Sequence, residues 1–159
     1  MFTRDQIFTL LEEVKDPEIP VISLVQLGVV KDVRVEGEKV YVDIVPTFAG
    51  CPAIEMMKND VIKTLSEAGV KELDVQIKYK SEWTTNQISP KGRVLLKDFG
   101  LSPPRSFDGE LTLEELEYAQ CPRCDSVNTR VLSVFGPTAC RSIHHCEDCH
   151  ETFEQMKPL

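Results

Sequence analysis

Six cysteines carry most of the chemistry this sequence offers, and four of them form two Cys-x-x-Cys pairs. Cys121-Pro122-Arg123-Cys124 and Cys146-Glu147-Asp148-Cys149 stand 21 residues apart. A two-residue spacer lets two sulfurs converge while nearby amides turn toward them, and two such knuckles supply four thiolates about 2.3 Å from one tetrahedral ion. The spacing therefore predicts a zinc ribbon with Cys121, Cys124, Cys146 and Cys149 as ligands. A rubredoxin-like iron site and a pair of disulfides are the competing readings. Four protein ligands leave no open coordination position, so the expected role of the metal is structural. A module of roughly 40 residues has too little core to fold without such a staple. His144, His145 and His150 flank the ligands and read as surface residues, and Cys140 reads as a small buried residue of the ribbon's second strand.

The sixth cysteine, Cys51, lies where a strand ends and a helix is expected to begin, with Pro52 at the first helical position. The partial positive charge and free N–H groups of a helix start favour a thiolate. Three roles fit such a residue: a small buried side chain, a metal ligand, or a redox thiol. Cys–His nucleophilic catalysis is disfavoured, because all three histidines lie beyond position 143. A resolving cysteine is missing from its neighbourhood, which argues against a free-standing thiol oxidoreductase. No Gly-x-Gly-x-x-Gly, P-loop, Gly-x-Ser-x-Gly or His-Glu-x-x-His run is present either.

The elements that must position these thiols follow from hydrophobic period and punctuation. Thr3 with Gln6 makes a capping box, and Ile7, Phe8, Leu10, Leu11 and Val14 predict a helix from about Arg4 to Lys15 that Asp16-Pro17 ends. Alternation over Val29–Val35 and Val40–Val45 around Glu36-Gly37-Glu38 predicts a β-hairpin. Ile54, Met57, Val61, Leu65 and Ala68 mark the buried stripe of a second helix ending at Gly69, and Leu73, Val75, Ile77 and Tyr79 mark a third strand. Ser89-Pro90 opens a short helix that stops at Gly100. Val131–Phe135, followed by Gly136-Pro137, supplies a strand and turn between the knuckles. The expected fold is α+β: a helix–hairpin–helix–strand domain over residues 1–101, an acidic linker over 102–118, and the zinc ribbon over 119–159.

Composition sets the outer bounds. The 159 residues are 42% hydrophobic and 28% charged, which suits a folded protein of two small units at most. No apolar run approaches the roughly 18 residues of a membrane helix, and no secretory leader is evident, so a cytoplasmic location away from membranes is expected. Net charge is −8, and the segment beyond Leu101 holds 5 of the 18 basic but 10 of the 26 acidic residues. Such a surface repels phosphate backbones, so nucleic acid is not an expected partner.

Two runs carry a resemblance. Asp16-Pro17-Glu18-Ile19-Pro20 followed by Thr47-x-x-x-Cys51-Pro52 looks like the signature of the small iron–sulfur cluster assembly domain family to which SufT-type factors belong. The further segments Ser81-Glu82-Trp83-Thr84, Phe99-Gly100-Leu101-Ser102-Pro103-Pro104 and Phe135-Gly136-Pro137-Thr138-Ala139-Cys140 are similar to accessory proteins of phenylacetate degradation, in which that domain precedes a zinc ribbon. The resemblance spans nearly the whole chain. It implies a non-enzymatic role in assembling or maturing the iron–sulfur cluster of the phenylacetyl-CoA epoxidase system, with the epoxidase subunits, above all the iron–sulfur reductase, as partners. It makes Cys51 the functional thiol, with Asp16, Glu18 and Thr47 as neighbours. By its chemistry a single exposed thiolate can hold iron or a cluster transiently, and two chains meeting as a homodimer can share one. The alternative is a non-catalytic structural subunit of the same oxygenase.

Overall fold

A computed structural model describes residues 1–48, 50–80, 82–106 and 110–158, so Ser81 of the sequence motifs and Asp108 of the expected acidic linker lie outside the described residues. The chain divides into two compact units, Met1–Trp83 and Thr84–Leu159.

In the first unit, α1 (Arg4–Leu11) starts with the expected capping box: the Gln6 amide donates to Thr3 Oγ1 at 3.2 Å and the Thr3 amide to Gln6 Oε1 at 2.8 Å. It ends four residues before Lys15, because Glu13 and Val14 already make the tighter i→i+3 bonds of a closing turn. A second capping box, Ser23 with Gln26, sets a one-turn helix, α2 (Leu24–Leu27), which Gly28 closes at φ 80°. Strands β1 (Val30–Glu36) and β2 (Lys39–Ile44) form the expected hairpin around Gly37 at φ 64°. Helix α3 (Ile54–Glu67) then crosses back so that β3 (Glu72–Ile77) pairs parallel with β2, giving the order β1-β2-β3. Ile7 and Leu11 of α1, Val61 and Leu65 of α3, and Val33, Val42 and Ile44 of the sheet are almost fully buried. Each contributes roughly 1.5–3 kcal/mol by leaving water. Trp83 closes the unit: its ring is 6% exposed and its Nε1 donates to the Leu27 carbonyl at 3.0 Å.

The second unit begins at Thr84, earlier than the boundary after Leu101 that the sequence suggests. A 3₁₀ turn (Thr85–Gln87) precedes α4 (Pro90–Asp98), which has Ser89 as its cap and Pro90 in its first turn. The following β4 (Leu101–Ser102) pairs parallel with β7 (Thr152–Met156) at the edge of a four-stranded sheet ordered β4-β7-β6-β5. Strands β5 (Thr129–Ser133) and β6 (Arg141–Cys146) complete it, both junctions being antiparallel. The stretch expected as a linker is thus partly built into this unit, with Ser102 in the sheet and α5 (Leu113–Glu117) beyond it, because the ribbon's edge strand needs a partner. No helix among the described residues is long and apolar enough to cross a membrane.

Candidate functional site

Four sulfurs meet at one end of the second sheet. The Sγ atoms of Cys121, Cys124, Cys146 and Cys149 all lie within 4.8 Å of one another. Cys121 and Cys149 approach to 3.6 Å, as do Cys124 and Cys146. Thiolates about 2.3 Å from a tetrahedral ion would sit about 3.8 Å apart, so the cluster has the size a metal requires. Ala119 and Phe153 pack beside Cys121 and Cys146 and keep water from one side.

The two knuckles are built alike. In the first, the Cys121 amide donates to the Ser126 carbonyl at 2.8 Å and the Asp125 amide returns to the Cys121 carbonyl at 2.9 Å. In the second, the Cys146 amide donates to the Glu151 carbonyl at 2.8 Å and the His150 amide to the Cys146 carbonyl at 3.0 Å. Asp125 and His150, each one residue past a knuckle's second cysteine, have left-handed backbones at φ 63° and 62°, and no other non-glycine among the described residues does. This turn is what reverses the chain around the sulfurs.

Electrostatics within the cluster are uneven. The Cys149 amide, joined by that of Asp148, donates to the Cys146 sulfur and brings this thiol down to about 7 against the opposing effect of burial. At Cys124 the Ser126 amide also favours the thiolate, but desolvation and the three neighbouring thiols outweigh it and push the group up to about 12. One thiolate forms readily and a second beside it does not. A divalent cation removes that conflict by neutralising the sulfurs together. Outside the sulfurs, hydrogen bonds from Ser126 and then Asn128 hold the Asp148 carboxyl below its ordinary range.

None of the histidines belongs to this group of ligand atoms. His144 is fully buried, contrary to the surface position expected of it. Its Nε2 lies 2.8 Å from Ser142 Oγ, its ring stacks on Phe153 at 5.7 Å, and burial lowers its pKa to about 4. The signal was present: His144 is two residues before Cys146 on one strand and so shares its buried face. His145 sits 3.3 Å from Thr152 Oγ1, and His150 is exposed in its turn. Cys140 is 8% exposed, immediately before β6, with Thr138 Oγ1 3.1 Å from its sulfur.

Cys51 sits in the other unit, in the loop between β2 and α3. The helix begins later than expected: Ala53 is its N-cap, Ile54 its first residue, and no side chain caps it. Pro52 therefore precedes the helix, and the Cys51 carbonyl accepts from the Ile54 amide at 3.4 Å. The thiol is half-buried, and Gly50 beside it takes φ 79°, a turn that a side chain would oppose. Asp16 is a turn-former: its Oδ1 accepts from the Glu18 amide at 2.8 Å and the Ile19 amide at 2.9 Å, with the residue 7% exposed. Glu18 is exposed and Thr47 half-buried. Among the described residues, Cys51 and these three form no metal-sized group of ligand atoms.

Residues 4–77 match the family model described as iron-sulfur cluster assembly protein, and residues 108–157 match the PaaD zinc beta ribbon domain. Over 152 residues the chain is 35% identical to a protein of Escherichia coli (strain K12) named as a component of 1,2-phenylacetyl-CoA epoxidase, the match covering 96% of this chain and 91% of that protein. The chain belongs to the PaaD family. Other relatives match only part of the chain. An Fe-S protein maturation auxiliary factor of Porphyromonas gingivalis is 32% identical over 96 residues, covering 59% of this PaaD-family chain and 90% of that protein. An iron-sulfur cluster carrier protein of Synechocystis is 36% identical over 80 residues, which span 48% of this chain and only 22% of the carrier. Among solved structures, a domain of unknown function from Bacillus anthracis matches with a TM-score of 0.55 at 28% identity, covering 58% of this chain and 90% of that one. A conserved hypothetical protein from Thermotoga maritima gives 0.52 at 26%, covering 63% and 96%.

Proposed function

We propose that this PaaD-family chain is an accessory factor without turnover chemistry of its own, acting in maturation of the iron–sulfur cluster of a phenylacetyl-CoA epoxidase system. The observation that carries the reading is the joining, in one chain, of an assembly-type unit bearing a half-buried loop cysteine to a closed four-sulfur site. In this reading zinc occupies Cys121, Cys124, Cys146 and Cys149 and supplies folding energy, since four ligands leave it no position for substrate. Cys51 offers the soft ligand for iron or a cluster in transit. Its place in a loop before α3, between Gly50 and Pro52, lets it bind and release cargo without disturbing the core. Asp16 shapes its own turn at Glu18 and Ile19, and the reductase component is the client expected to receive the cluster.

The test is Cys51→Ser, which removes the soft ligand while nearly preserving size, in cells expressing the epoxidase polypeptides. Folding and zinc content should persist, whereas the isolated reductase should be poor in iron and acid-labile sulfide. Equal cluster content in mutant and parent would overturn the reading. The name of the Escherichia coli relative favours a second one, a stable component that docks on the oxygenase. Stoichiometric co-purification with the oxygenase would select it, and a transient association would select maturation.

A further inference from the structure

The metal ligands arrive on two separate loops, and each loop is organised internally by its own backbone bonds. Something must hold one loop against the other: Glu151 beyond the second knuckle pairs with Arg123 within the first at 2.8 Å, and Asp148 makes two contacts of its own across the gap. Asp148 lies between the two cysteines of the second knuckle, yet both its oxygens are taken by residues just past the first. Ser126 Oγ donates to Oδ2, and Asn128 Nδ2 donates to Oδ1 at 2.9 Å. The bridge is closed on the first side by the Asn128 amide, which donates to Ser126 Oγ at 3.0 Å. The backbone of Glu147 reaches across as well, its amide donating to the Asn128 carbonyl at 2.9 Å. Ser126 also anchors the first knuckle, because its carbonyl accepts from Cys121 and its amide supports the Cys124 sulfur. Asp148 in turn sends its own amide toward the Cys146 sulfur.

We infer that Asp148, through Ser126 and Asn128, is a positioning residue that locks the two knuckles together and sets how long the metal stays bound. The inference rests on the metal reading proposed above. Metal release requires at least one knuckle to swing away from the other, and this bridge must break for that to happen. Interactions around metal ligands commonly change affinity by about 10–100-fold when removed. Asp148 is exposed, so the lower end applies. Neighbouring Glu147 provides the control: it carries the same charge on the adjacent residue, but its side chain pairs with Arg130 on β5 instead of joining Ser126 and Asn128.

The experiment uses the full chain loaded with zinc and follows transfer of the metal to a colorimetric chelator such as 4-(2-pyridylazo)resorcinol. Asp148→Ala should release zinc about 10-fold faster. Ser126→Ala should also release it faster, and the double variant no faster than Asp148→Ala, since both remove one bridge. Glu147→Gln should stay within about twofold of the parent, and cobalt-loaded forms of all variants should keep the absorption of a four-sulfur site. Parent-like release from Asp148→Ala would overturn the inference, and so would equal acceleration by Glu147→Gln or simple multiplication of the two alanine effects. Should Asp148→Ala fail to take up metal, Ser126→Ala decides alone: faster release supports the bridge and an unchanged rate overturns it. A parent chain that takes up no zinc overturns the metal reading and the bridge with it, whereas a loaded parent with unchanged variants overturns the bridge only.

Discussion

The two units are stabilised by different chemistry at similar size. In Met1–Trp83 the largest fully buried side chains are Ile7, Leu11, Ile22, Leu24, Leu27, Ile44 and Leu65, aliphatic without exception. In Thr84–Leu159 they are Leu96, His144 and Gln155. Beside them lie Ser102 and Ser142, which join Gln155 in one row across β4, β7 and β6. Ser102 Oγ donates to the Gln120 carbonyl at 2.7 Å and Gln155 Nε2 to the Tyr118 carbonyl at 2.8 Å. An aliphatic core gains free energy from every square ångström it hides, whereas hydrogen-bonded polar groups return little beyond what their desolvation cost. The first unit can therefore stand on area alone, and the second needs its sulfurs joined.

The largest expected effect follows directly. Removing zinc with a strong chelator, or replacing Cys124 by Ser, should unfold the second unit and leave the first folded, because structural zinc in small modules supplies roughly 10–16 kcal/mol. Two thermal transitions, of which chelation abolishes one, would establish the contrast; a single transition that ignores the chelator would break it.

Next comes a strike at the other unit. Trp83→Ala leaves a cavity at the end of the first core and an unpaired Leu27 carbonyl, and should cost about 3–5 kcal/mol. Zinc content and the chelator-sensitive transition should be unchanged. Loss of bound zinc in this variant would show that the two stabilities are not separate.

The smallest effect sharpens the picture of the knuckles. His150→Gly relieves the left-handed backbone but frees the unfolded chain, so the two effects nearly cancel. His150→Val places a β-branched residue at φ 62° and should lower the second transition by about 1–2 kcal/mol with the metal retained. Equal stability of the two variants would mean that the turn relaxes at no expense.

Legibility in the sequence also divided between the units. Where a signal is local, it could be read: the Thr3 and Ser89 caps, the hairpin around Gly37, the four converging cysteines and the buried stripe of α3 as far as Leu65 all appear in the structure, whereas Ala68, expected in that stripe, is the exposed C-cap. Helix α2 was missed although Ser23-x-x-Gln26 repeats the capping box of Thr3-x-x-Gln6, because one turn is too short to show a hydrophobic period. Strand β4 was invisible for a different reason. Two residues have no periodicity, and Leu101-Ser102 becomes a strand only because β7 offers an edge about 50 residues later. The bridge from Asp148 to Ser126 and Asn128 was equally hidden, since polar residues beside a knuckle read as solvated until the two loops are seen together.

That short parallel pairing at the sheet edge has a consequence for anyone treating the ribbon as a portable cassette. The recognisable sequence of the ribbon starts at residue 108, but its outermost strand is donated from upstream, at Leu101–Ser102. A fragment cut at the recognisable border would keep all four sulfurs and still present the bare main chain of β7 to solvent, a template for pairing with another molecule. Grafts and fusions of this ribbon should therefore begin at Thr84, so that the sheet brings its own closing strand and the hybrid remains monodisperse.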